Sequence, residues 1–191
     1  MDLNGASILL CATGGVAIYK AVGLASRLAQ RGAMVDVVMT RAAKRFVTPL
    51  MFSAVTLRDV YCNPWREGGR GPEHIALAER PDLAVVAPAT ANTLAKIAHG
   101  IADNLLTSVL LATRKPVLLA PAMNAGMWEA PATRENMETL AGRGYRIVGP
   151  DSGRLACGHV GWGRMAEPDA ILAAIEQCLG EARAGAPENR V

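Results

Sequence analysis

The sequence predicts an alternating α/β protein, a doubly wound parallel sheet flanked by helices. Three observations predict it. Short β-branched or leucine-rich runs recur along the chain, each closed by Gly, Pro or Thr. Helical patterns fill the intervals between these runs. The 191 residues suit one compact domain with one core. Strands joined through helices need right-handed crossovers, and crossovers give a parallel sheet.

The elements follow in chain order. Ile8–Ala12 is the first buried-strand candidate, and Val16–Gln30 is the helix after it, with Ala21, Leu24, Ala25 and Leu28 on one face. Met34–Met39 is the second strand. Pro64–Pro72 reads as a glycine-rich loop. Leu83–Ala87 is the third strand, followed by helical patterns at Asn92–Ala98 and Asn104–Ala112. Val117–Ala120, a helix over Thr133–Arg143, a strand at Arg146–Val148 and a closing helix over Asp169–Leu179 complete the domain, set at residues 1–180. Residues 181–191 form a polar tail or linker remnant without apolar periodicity.

Composition narrows the function classes. Hydrophobic residues make up 51% and charged residues 19%, values of a folded protein. The net charge of +3 includes no basic tract, so no nucleic-acid partner is expected. No apolar run approaches the roughly 20 residues of a membrane span, and the N-terminus has no basic region of a signal peptide. Cys11, Cys62, Cys157 and Cys178 show no C-x-x-C spacing, which implies a reducing compartment, no disulfides and no metal site. A cytoplasmic protein is expected.

In such sheets ligands bind beyond the carboxyl ends of the strands. The loops there carry the candidate residues. Gly14, Gly15 and Val16 run straight into a helix, where glycine permits close approach and the helix start favours a phosphate; an ordinary turn fits equally. Thr40 follows the second strand, and Thr90, Ala91, Asn92 and Thr93 follow the third. They suit the polar edge of a planar cofactor, and equally plain helix capping. Ala122, Met123 and Asn124 follow the fourth; Asn124 could fix a carboxylate or satisfy its own turn. His74 is a lone histidine, and Cys157 sits between glycines in a loop-like setting.

Their order is more specific than any one of them. Gly14–Lys20, His74-Ile75-x-Leu77-Ala78, Pro88–Thr93, Gly100–Leu106, Pro121-Ala122-Met123-Asn124-x-x-Met127-Trp128 and Ala156-Cys157-Gly158-x-x-Gly161-x-Gly163-Arg164-Met165 occur in sequence from Ile8 to Leu179. This set resembles the homo-oligomeric flavin-containing cysteine decarboxylases. The resemblance implies a Rossmann-like flavoprotein fold, FMN held by Gly14–Val16, Thr40, Thr90–Thr93 and Ala122, and a trimer or a dodecamer of trimers with FMN near a subunit interface. It implies a substrate, small molecule or peptide, that ends in cysteine.

The implied chemistry follows from that substrate. A cysteine carboxylate leaves reluctantly because the electron pair has no sink, and oxidation of the CH2–SH carbon supplies one through the flavin. The resemblance assigns His74 to thiolate formation, Asn124, with Met123, to the carboxylate, and Cys157 to the proton that completes a saturated product. The Cys157 block points to the branch that decarboxylates phosphopantothenoylcysteine in coenzyme A synthesis. The alternatives are a peptidyl-cysteine decarboxylase forming an aminoenethiol and, in another class, a regulatory flavoprotein without turnover.

Overall fold

The computed structural model describes residues 3–63, 73–156 and 158–184. The glycine-rich loop Pro64–Pro72, Cys157 and residues 185–191 lie outside them.

Six strands form one parallel sheet: β1 (Ser7–Ala12), β2 (Met34–Met39), β3 (Val60–Tyr61), β4 (Leu83–Ala89), β5 (Val117–Pro121) and β6 (Arg146–Ile147), in the order β3-β2-β1-β4-β5-β6. The chain winds outward from β1 in one direction and from β4 in the other. The switch between them puts a crevice at their carboxyl ends. Alternation along the strands feeds two cores. Ile8, Leu10 and Ala12 face one with α1 (Ile18–Gln30) and α8 (Pro168–Ala184); Leu9 and Cys11 face the other with α3 (Glu73–Glu79), α4 (Ala91–His99), α5 (Leu105–Ala112) and α7 (Pro131–Gly142).

All five expected strands are present, and the long helices fall where the apolar spacing placed them, within a few residues. One short strand, three helices and a hairpin were not expected. The strand is the two-residue β3, and two of the helices are α2 (Pro49–Thr56) and α6 (Ala125–Glu129). The remaining helix is α3, which carries His74. The last is an antiparallel hairpin of β7 (Asp151–Arg154) and β8 (Val160–Arg164). The hairpin strands are polar and glycine-rich, so no strand periodicity marks them. The last helix also extends past the expected boundary at Gly180 to Ala184. Glu181 pairs with Arg146 and accepts from Gln177 at 2.9 Å, which holds the added turn.

Candidate functional site

A cavity of about 1230 Å³ opens at the switch point. Its walls come from the loops after β1, β2, β4 and β5 and from the β7–β8 hairpin, segments far apart in sequence. Gly14, Gly15, Val16, Thr40, Thr90, Ala91, Asn92, Thr93, Ala122, Met123 and Asn124 all line it.

Local chemistry fixes each loop. Thr13 is buried and ties two of them: its Oγ1 donates to the Pro88 carbonyl at 2.5 Å and accepts from the Thr90 amide at 3.3 Å. Gly14 is obligatory by contact. A Cβ there would stand 2.4 Å from the Ala42 Cβ, well inside van der Waals separation, so the loops after β1 and β2 touch through bare backbone. Thr40 Oγ1 accepts from the Ala43 amide (3.1 Å), Thr90 Oγ1 from Thr93 (3.4 Å), and Asn124 Oδ1 from Gly126 (2.8 Å). Capping and lining the cavity are therefore compatible roles for these residues. The hydroxyl and amide edges are held by the helices they start.

The cavity wall also contains residues that the loop-by-loop reading passed over. Lys20 lies in the first turn of α1 and is 7% exposed; Lys96 on α4 pairs with Asp103, and Asn104 caps α5. The Lys96 ammonium, hydrogen-bonded to Asp103, lowers that carboxyl below its ordinary value. Lys20, Asp103 and Asn104 fall inside the quoted motif blocks, which was the available signal. Arg41, Arg154 and Arg164 line the wall as well.

His74 does not line this cavity. It sits half-buried in the first turn of α3. Because α3 leads into the start of β4, its N-terminal turn faces the same end of the sheet as the cavity. Cys157 lies outside the described residues, but Leu155, Ala156 and Gly158 around it line the wall. Burial in the β1 core pushes the Cys11 thiol up to about 12, which removes it from thiolate chemistry.

The arrangement fits a phosphorylated flavin. Two helix N-termini, those of α1 and α4, open onto the cavity and suit a phosphate. The bare backbone at Gly14–Gly15 and the small Ala42, Ala91 and Ala122 leave flat space for a ring system.

Comparison with known proteins agrees with this reading. The Flavoprotein family profile matches residues 1–180. The "Coenzyme A biosynthesis bifunctional protein CoaBC" of Bacillus subtilis is 47% identical over 94% of this chain; the chain spans 44% of that relative's length. A "probable phosphopantothenoylcysteine decarboxylase" of Streptococcus mutans is 46% identical, over 90% of this chain and 98% of the relative. Among solved structures, the FMN-dependent cysteine decarboxylase SpaF superposes with a TM-score of 0.82 at 34% identity, covering 95% of this chain and 99% of SpaF.

Proposed function

Because this chain belongs to the Flavoprotein family, we propose that it is an FMN-dependent decarboxylase converting phosphopantothenoylcysteine to phosphopantetheine in coenzyme A synthesis. The observation that carries this reading is the convergence of Gly14–Val16, Thr90–Thr93 and Met123–Asn124 on one cavity. The similarity to CoaBC and to the streptococcal decarboxylase supports the substrate. The similarity to SpaF supports FMN over other flavins.

Gly14, Gly15, Val16, Thr40, Thr90–Thr93 and Ala122 would hold FMN, which supplies a two-electron acceptor for the carbon bearing sulfur. Asn124, already fixed by its bond to the Gly126 amide, turns its side-chain NH2 to the substrate carboxylate and orients it for departure as CO2. Met123 packs beside it. His74 accepts the thiol proton, and Cys157 supplies the proton that, together with the hydride the reduced flavin would give back, lets the product leave saturated.

His74 is absent from the lining of its own chain's cavity. We propose that the protein works as a homo-oligomer, a trimer or a dodecamer of trimers, in which His74 reaches the cavity of a neighbouring protomer. Val16, Tyr19, Phe46, Leu50 and Met51 are exposed apolar residues, and Val16 and Tyr19 stand at the cavity rim, an apolar surface that association would cover.

Purified protein should be yellow and should release CO2 from phosphopantothenoylcysteine faster than from a cysteine-terminated peptide. A colourless protein that cannot be reconstituted with FMN would contradict the reading, and preference for the peptide would replace the substrate.

A further inference from the structure

Lys20 is the most deeply placed cation of the cavity wall, and its partners lie on the other side of the site. Its Nζ donates to the Met165 carbonyl at 3.0 Å and to Glu167 Oε1 at 2.9 Å. Arg164, the last residue of β8, pairs with the same Glu167 oxygen. A second fastening lies at the other end of that segment. The Met123 amide donates to the Gly163 carbonyl at 2.9 Å. A Cβ on Gly163 would stand 2.3 Å from the Met123 carbonyl oxygen, and one on Gly161 would stand 3.0 Å from the Ala125 Cβ. Strand β8 therefore lies directly against the loop that presents Asn124.

By its own strand pairing the hairpin is weakly held. Val160 and Trp162 are exposed, and among the described residues β7 and β8 form a sheet of two strands. An isolated two-stranded ribbon is marginal in water. A buried ammonium, in contrast, demands its acceptors, because leaving them costs the desolvation of an unpaired charge. The strongly determined end of this contact is Lys20, and the weakly determined end is the hairpin.

We propose that Lys20 is a positioning residue: through Met165 and Glu167 it clasps the β7–β8 hairpin over the cavity and against the Met123–Asn124 loop, and so sets the seat of the substrate carboxylate. Lys20 lies in the first turn of α1, directly after the Gly14–Val16 loop, so the clasp couples the flavin loop to the substrate wall. The functional part of this inference rests on the decarboxylase reading.

The test uses the full chain with Lys20→Met, Glu167→Ala and the double variant. Three quantities are read: amide hydrogen exchange of residues 160–164, bound flavin, and KM and kcat for phosphopantothenoylcysteine. Both single variants should exchange faster at 160–164 and keep wild-type flavin content. Each should raise KM on the order of ten-fold, with a smaller change in kcat. The double variant should be no worse than Lys20→Met, since both remove one interaction. Unchanged exchange in both variants would overturn the clasp. So would a Glu167→Ala enzyme with wild-type kinetics beside a Lys20→Met enzyme that has lost flavin, because Lys20 would then contact the ligand directly. Exchange needs no turnover. A wild-type protein that released no CO2 would sink the decarboxylase reading and leave the clasp to be decided by exchange alone.

Discussion

Asn124 has one role in the fold and a second, proposed, in the chemistry. Its Oδ1 accepts the Gly126 amide and starts α6, and the proposed partner of the side chain is the substrate carboxylate. Asn124→Asp keeps the capping oxygen but opposes a substrate carboxylate with like charge. Two charges about 4 Å apart near a protein surface repel by about 4 kcal/mol, so CO2 release should fall on the order of a hundred-fold or more while the melting temperature stays near wild type. A variant that releases CO2 normally would remove Asn124 from the site. The loop residues were legible in the sequence through their place after the strands and the order of their motifs, since turns and caps use the same residue types. Lys20 fell inside a motif block but its role was hidden, since a lysine in an amphipathic helix reads as a solvated residue until its bonds to Met165 and Glu167 are seen. His74 was legible only through its motif, and its distance from its own chain's cavity could not be foreseen.

At the scale of elements, α1 carries the clearest contrast. Gly14 precedes it with no room for a methyl group, whereas Gly23 within it has nothing within 4 Å of an added Cβ. Gly14→Ala should force the loops after β1 and β2 apart, costing about 1–3 kcal/mol of stability, and should leave the protein without flavin. Gly23→Ala should retain flavin and gain up to about 1 kcal/mol from helix propensity. Equal visible spectra for the two variants would refute the assignment of the β1 loop. The α1–α8 contact makes a second prediction. Hydrogen bonds from Lys20 and Arg27 hold the Glu167 and Asp169 carboxyls below their ordinary values. Groups lowered in the fold stabilise it above the ordinary carboxylate range, and that contribution is lost as pH falls through their lowered values. The melting temperature should therefore drop below about pH 4, and less steeply in Asp169→Asn; a flat profile from neutral to acid pH would contradict the pairing. The alternating pattern exposed the sheet and the long helices, whose apolar periods are strict. It hid the β7–β8 hairpin, because Asp151-Ser152-Gly153-Arg154 has no buried face to declare. It hid α2, α3 and α6 because five to eight residues hold too few turns to establish a period.

For the whole molecule, the sheet order places every predicted flavin contact at one switch point. Because His74 does not line that crevice, the proposed assembly would be a matter of function. Mixing His74→Asn protein with Asn124→Asp protein, after dissociation and reassembly, should restore part of the CO2 release that neither has alone. Failure to complement, with mixed oligomers demonstrated, would place His74 and Asn124 in the same protomer's site or remove His74 from it. The central claim is that a flavin in this cavity oxidises a terminal cysteine, which then loses its carboxylate and is reduced again. The most direct measurement is the mass of the product from phosphopantothenoylcysteine. Loss of CO2 alone from the wild-type enzyme, and of CO2 plus two hydrogens from Cys157→Ser, is the predicted result; unchanged substrate in the presence of bound FMN would contradict it.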